Sequence, residues 1–180
     1  SGAGSLNKIG TGPLTLNAAN TYTGNTVVTA GTLKLGAGGS IATSPLIDLK
    51  AGTTFDASAV PGGFVLAGTQ TLQGSGPVIG NFSDSAGSRI VPGGAAAIGT
   101  LSFTNNASFT GGGTVRFDLT DNATPGGTTN DLIAINGAAS FAGVTQLEIS
   151  PLAALNGPYA LMTYASKTGD AATNFKVVSA

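Results

Sequence analysis

The sequence predicts an all-β chain wound as a right-handed parallel β-helix, or β-solenoid, and three observations carry the prediction. Short runs of alternating apolar and polar residues recur from end to end, small turn-forming residues separate them, and the rare charges fall between apolar neighbours. Leu14-Thr15-Leu16, Thr26-Val27-Val28-Thr29 and Thr32-Leu33-Lys34-Leu35 set the pattern within 10–35. Thr and β-branched residues suit a pleated strand, whereas Gly and Asn suit the corners between strands. Lys34, Asp48, Arg116, Asp118, Glu148 and Lys176 each stand between two apolar residues. Each strand is therefore expected to bury one face and wet the other. Coils built this way bury their apolar faces by stacking on one another.

The elements follow in chain order. Residues 1–9 are small and polar around Leu6 and Ile9, and are read as an incomplete first coil or an arm. After the three runs of 10–35, GAGGS (36–40) is a corner. In 45–58, Ile47 and Leu49 point one way and Asp48 and Lys50 the other, and Phe55 and Ala57 repeat this around Asp56. Phe64, Leu66, Leu72, Val78 and Ile79 give shorter strands among the glycines of 61–80. The polar stretch NFSDSAGSR (81–89) is expected to project as a loop, with Asp84 and Arg89 paired across it. Alternation returns at Leu101/Phe103, Val115/Phe117/Leu119, Ile133/Ile135, Leu147/Ile149, Tyr159/Leu161 and Phe175/Val177. Helical spacing fits poorly, and LAAL (152–155) offers at most one turn. The competing architecture, an antiparallel sandwich, would rest on hairpin signals such as Asn136-Gly137 and Asn156-Gly157. The second of these, before Tyr159, is read as a hairpin within a C-terminal cap over 156–180.

Gly12, Gly31, Gly52, Gly68, Gly99 and Gly113 each introduce a run. Their spacing is uneven, widest between Gly68 and Gly99 and closest between Gly99 and Gly113. Loops inserted at the corners of a coil explain the unevenness. Roughly 20 residues per coil gives about eight or nine coils in a rod about 40 Å long. The 180 residues are read as one domain, 1–180.

Charged residues make up 8% of the chain against about 25% in ordinary domains, while 41% are hydrophobic. That apolar share argues against disorder despite the 29 glycines. Lys and Arg are scattered singly and the net charge is −1, which argues against nucleic-acid binding. No apolar run approaches the roughly 18 residues of a membrane-spanning helix, and no basic amphipathic helix is present, so this segment is not expected to insert into a membrane. The absence of Cys excludes disulfides and thiol chemistry. The chain opens on SGAGSL rather than a basic and then apolar leader, so it is expected to be a processed or excised piece of a longer precursor.

Residues 10–35 carry a family resemblance. Gly10, Gly12, Leu14 and Leu16, then Asn20, Tyr22, Gly24 and Thr26, then Ala30, Gly31, Leu33 and Leu35 reproduce a G-x-G-x-L-x-L, N-x-Y-x-G-x-T, a-G-x-L-x-L pattern, with Lys8 fitting just before it. This resembles the autotransporter-associated β-strand repeat, or passenger-associated transport repeat, of bacterial autotransporter passenger regions. Pro13 departs from the pattern and suits a strand start. VPGGAAAIGTLSF (91–103) and NDLIAINGAASFAG (130–143) resemble the family's later segments more loosely. The resemblance implies a pectin-lyase-like β-helix exposed outside the cell or on a bacterial surface.

No catalytic, metal-ligating or cofactor-binding residue is assigned, and no cofactor is expected. The chain has no His, which rules out Ser-His-Asp and Cys-His sites. Asp48 and Asp56 could fall on adjoining strands as a carboxylate pair for glycoside hydrolysis. Asp118, Asp121 and Asp131, with Asn122 and Asn130, surround a loop that could hold calcium. Turn and capping roles are the stronger reading for all of these acids. Asn20 is read as bonding a neighbouring coil with Tyr22 packing outside, rather than as a glycan contact. Phe103, Phe109, Phe117 and Phe141 are read as a core stack. Gly74-Ser75-Gly76 has no following Lys or helix to cradle phosphate. The sequons at Asn81, Asn106 and Asn122 are read as chance.

The expected function is non-catalytic: a β-solenoid stalk, or a fibre subunit that self-associates through open solenoid ends. The alternatives are an adhesin or glycan-binding module using loops 81–89 and 120–131, and then a carbohydrate-active enzyme.

Overall fold

The computed structural model describes residues 2–124 and 129–179. The chain winds in successive coils of short strands. The first two coils contribute β1 (Leu6–Lys8), β2 (Pro13–Leu16), β3 (Thr26–Val28) and β4 (Thr32–Leu35). The third adds β5 (Leu46–Leu49), β6 (Thr54–Asp56) and β7 (Phe64–Val65); the fourth, β8 (Thr71–Gly74), β9 (Pro77–Ile79) and β10 (Phe82–Ser83). The fifth holds β11 (Arg89–Pro92), β12 (Thr100–Phe103) and β13 (Ala107–Phe109), and the sixth β14 (Thr114–Leu119) and β15 (Leu132–Phe141). The seventh holds β16 (Thr145–Pro151) and β17 (Met162–Thr168), followed by α1 (Ala171–Asn174) and β18 (Phe175–Ser179).

Every pairing between the described strands is parallel and joins one coil to the next. The first sheet is an eight-rung ladder, β1-β3-β5-β8-β11-β14-β16-β18, spanning about 34 Å at ~4.8 Å per rung. The second sheet turns a corner inside β15. Residues 132–135 pair with β12, residues 139–141 pair with β13, and the register against β17 shifts between Ile135 and Ala138. Each complete coil thus has three faces: the ladder, the β2-β4-β6-β9-β12 face and the β7-β10-β13 face. Parallel neighbours rule out the antiparallel sandwich.

Vertical columns of inward side chains make the core. On the ladder the column runs Leu6, Thr26, Ile47, Leu72, Ile90, Val115, Leu147, Val177. On the second face it runs Leu14, Leu33, Phe55, Val78, Phe103, Ile135, Tyr164. Rings step along the axis from Phe55 to Phe64 (4.9 Å), then through Phe82 to Phe103 (4.5 Å), and from Phe109 to Phe141 (5.8 Å) and Phe175 (5.4 Å). Phe103, Phe109 and Phe141 are in the stack as expected, and Phe117 is buried in the same core from β14. Full burial of such a side chain stabilises by about 1.5–3 kcal/mol.

Corners are fixed by side chains reaching between coils. Asn20 donates to Ala18 O and to Ser40 O of the next coil, as expected, and Tyr22 is half-buried with its hydroxyl 2.7 Å from Thr26 Oγ1. Burial raises the Tyr22 pKa, against the lowering effect of Thr26. Lys8 is buried and donates to Ile9 O, Gly10 O and Ala30 O, tying the first corner to the second. Gly31 sits there at φ +70, where a Cβ would lie 2.6 Å from Thr11 O.

Several expectations are corrected. Residues 81–89 do not project. Phe82–Ser83 is a strand of the third face, Phe82 is buried, and Arg89 opens β11. Asp84 does not pair with Arg89 either; its carboxylate turns inward and accepts the Gly111 and Gly113 N–H groups of the next corner at 2.7 and 2.9 Å. Asn156-Gly157 makes no hairpin, because β16 and β17 lie in different sheets. Asn136-Gly137 lies within β15. LAAL is irregular, and the single described helix is α1, whose N-cap Asp170 accepts the Ala172 N–H. Of the two readings of residues 1–9, an incomplete first coil or an arm, the first holds, since 6–8 form a rung.

Candidate functional site

The coils differ most in length at one corner, and that corner is the molecule's most individual surface. The turn of chain from Val115 to its register partner Leu147 is nearly twice as long as the turn from Leu72 to Ile90. Only residues 75–76 separate β8 from β9, whereas residues 120–131 separate β14 from β15, and 152–161 separate β16 from β17. The segment 93–99 precedes β12 at the same corner. These three segments stack in consecutive coils. Residues 125–128 of the expected 120–131 loop lie outside the described residues.

Buried polar side chains hold the corner together. Asn130 Oδ1 accepts the Thr120 N–H at 2.8 Å, while its amide donates to Asn122 O and Thr124 O. Asp131 is fully buried and accepts the Gly99 N–H and the Asp118 N–H, each at 2.8 Å, so one carboxyl clips coil five to coil six. Tyr159 donates to Thr120 O at 2.8 Å and ties in coil seven. Burial pushes the Asp131 pKa up to about 7; the two N–H donors and Arg116 oppose this, and the neighbouring Asp118 charge adds to it.

Beside the corner runs a charge ladder on the outer face of the first sheet. Arg116 and Glu148 are register partners on β14 and β16. Arg116 Nη2 reaches Asp118 Oδ1 and Ser150 Oγ, both at 2.9 Å, and Arg89, two coils from Glu148, reaches Glu148 Oε2 at 2.5 Å. Asp118 is fully buried; its Oδ2 and Arg116 Nε are buried without a hydrogen-bond partner among the described residues.

This geometry assigns the acids. Asp48 and Asp56 are not brought together: they lie on different sheets, where Lys50 (2.7 Å) and Lys34 (3.0 Å) pair with them. For Asp56, burial raises the pKa, but Ser58 and Lys34 outweigh it and the net shift is downward. Asp118 and Asp131 do meet, but both are sealed from solvent and bonded to main chain or Arg116, so a polysaccharide cannot reach them. Asp121 is exposed on the loop, away from any cluster of three ligating acids among the described residues. Sequence reasoning did not find the Arg89–Glu148 pair. Outward alternation at Arg116 and Glu148 was visible, but nothing in the order of residues reports a partner 59 positions away.

A second feature is the last rung. An open cavity of about 500 Å³ is lined by Phe117, Phe141, Leu147, Tyr159, Met162 and Phe175. The core column ends there in Tyr164, 39% exposed, and Val177, 66% exposed.

The family model for the passenger-associated-transport repeat matches residues 6–35 and 98–116. The first range covers β1 to β4, and the second β12, β13 and the start of β14. Gly-Thr-Leu opens a second-face strand in both, at Gly31-Thr32-Leu33 and Gly99-Thr100-Leu101. The resembling segment 91–103 overlaps the second range, whereas 130–143 lies outside both. A curated relative, the adhesin BmaC autotransporter of Brucella suis biovar 1 (strain 1330), is 34% identical over 151 residues. That alignment covers 83% of this chain but only 4% of the Brucella protein.

Proposed function

From a chain that carries the passenger-associated-transport repeat of autotransporter passenger regions, we propose an exported, surface-exposed and non-catalytic role. The chain is a stiff length of solenoid that sets a distance or joins a fibre. The observation that carries this reading is the unbroken column from Leu6 to Val177, in which every rung hydrogen-bonds to the next. Rigidity follows from the ladder, because bending the stack would stretch the inter-coil hydrogen bonds on its convex side and compress the packing on the other. Where an end rung is free, it is the self-association surface: Leu6 of one copy would continue the column above Val177 of another, a head-to-tail contact that does not close. Electron microscopy of the purified protein tests this. Rods of uniform width, alone or joined end to end, support it; flexible or globular particles refute it.

A second reading has a specific observation behind it. The corner segments 93–99, 120–131 and 152–161 are far longer than the two residues 75–76 of coil four, their described residues are largely exposed, and the Brucella relative is named an adhesin. They are the surface through which an adhesin would bind, with surface glycans as the ligand class. A glycan array run with the intact protein and with a variant shortened at 121–124 separates the readings, since only a binding module loses a hit on shortening. An enzyme remains the weakest reading, and turnover of any polysaccharide abolished by Asp121→Asn would establish it.

A further inference from the structure

We propose that the buried Asp131 carboxyl, set against the buried Asp118, is a proton-operated clip, holding a proton when the corner is closed and loosening the join between coils five and six when that proton leaves.

Asp118 and Asp131 are both fully buried, and Asp131 bonds the main-chain N–H of Asp118 itself. Arg116 is the charged group that acts on Asp131 besides Asp118 itself, and among the described residues coil five contributes only the Gly99 N–H. Arg116 on β14 bonds Asp118 Oδ1 but is shared with Glu148 on β16, which also takes Arg89 of β11; Asp121 lies exposed on the adjoining loop. One guanidinium divided between Glu148 and Asp118 leaves Asp131 with hydrogen-bond donors but no cation of its own. Two ionised carboxylates in so dry a place are mutually destabilising, and a proton on Asp131 relieves the repulsion.

The two N–H donors to Asp131 favour its charged form, and burial together with the Asp118 charge outweighs them. Asp118 Oδ2 is buried and lacks a donor among the described residues. A proton on Asp131 removes one of the two charges. The raised titration range of Asp131 agrees with this arrangement.

The clip has a defined reach. Asp131 is the carboxyl that joins Gly99 of coil five to Asp118 of coil six, at the foot of the 93–99 and 120–131 segments. Once the corner opens and wets, the carboxyl returns to an ordinary acidity near 3.8. The closed form therefore binds the proton more tightly than the open form. Its advantage is complete below pH ~4, shrinks as pH rises, and is gone above ~7.

Carboxyl-carbon NMR of the intact protein reads the proton directly. Asp131 is expected to titrate near neutrality, and Asp118→Asn is expected to lower that midpoint by removing the neighbouring charge. Amide exchange reads the clip: protection at Gly99 and Asp118 should fall about tenfold per pH unit between 5 and 6.5 and level off above about 7.5, whereas Gly31 and Phe55 should show no such trend. An Asp131 midpoint in the ordinary carboxylate range overturns the proposal, as does protection at Gly99 that is independent of pH. The wild-type titration decides the matter even if the variant fails to fold.

Discussion

Coil four and coil six do the same structural work with very different amounts of chain. Both place a strand in the first sheet and two strand segments in the second, in register with their neighbours. Coil four closes between Leu72 and Ile90, whereas coil six runs from Val115 to Leu147 before it closes. Much of the surplus lies at one corner, where residues 75–76 are replaced by 120–131. The ladder fixes what must repeat, and the corner absorbs what varies. Ions follow the same division. The early coils carry separate Lys34–Asp56 and Lys50–Asp48 pairs, while the later coils link Arg89, Arg116, Asp118 and Glu148 into one network.

The strongest challenge to this comparison is a charge in the shared core. Leu33→Asp in coil two and Phe117→Asp in coil six should each abolish folding, measured by loss of the β circular-dichroism signal and of soluble yield, since an unpaired buried carboxylate is far costlier than a cavity. A soluble, cooperatively unfolding Phe117→Asp protein would mean that the later coils do not share the core. Next comes the clip. Asp131→Ala orphans two buried N–H groups and should lower stability by about 2 kcal/mol or more in urea titration; a loss no larger than that of a surface substitution would remove Asp131 from its role.

Acid should move the two regions in opposite directions. Asp56 has its pKa lowered on folding, so its contribution is present above the ordinary carboxylate range and is lost as pH falls below about 4, through the lowered pKa of the folded form. Asp131 has its pKa raised, so its contribution grows as pH falls from about 7 towards 4. Residue-resolved amide exchange across pH 3–8 should show protection near Asp56 weakening at the acid end while protection at Gly99 strengthens on the way down; parallel behaviour would erase the distinction. The smallest effect should come from shortening the long corner. Replacing 125–128 by two glycines, which keeps Asn122, Thr124, Asn130 and Asp131, should change stability by no more than about 1 kcal/mol, because loop closure depends only weakly on length. A cooperative collapse of coil six would show the insertion to be part of the rung.

The alternation rule found the columns because Leu33, Phe55, Leu72, Phe103 and Phe117 each sit between outward polar residues. It failed at 81–89. One Phe among Ser, Asp and Gly looks like a loop, and only the neighbouring coil supplies the Gly111 and Gly113 amides that make a buried Asp84 acceptable. It failed again at Asn156-Gly157, a hairpin signal overridden because β17 finds its partner in β15 rather than in β16. The candidate site was half legible. Asp118 and Asp131 stood out as acids flanking a loop, but their burial and the reach of Arg89 to Glu148 depend on which coil lies above which. Spacing alone does not encode that stacking when one coil can be nearly twice as long as another.

Basic side chains are scarce here, and the fold keeps most of them occupied. Lys8 is sunk among carbonyls, and Lys34, Lys50, Arg89, Arg116 and Lys167 are each matched to an acid. A digestive enzyme that cuts after lysine or arginine needs such a residue on a slack stretch of backbone that can be drawn into its cleft. Lys34, Arg89 and Arg116 instead lie within paired strands. In fluids rich in trypsin-like activity, the polypeptide offers such an enzyme few places to begin.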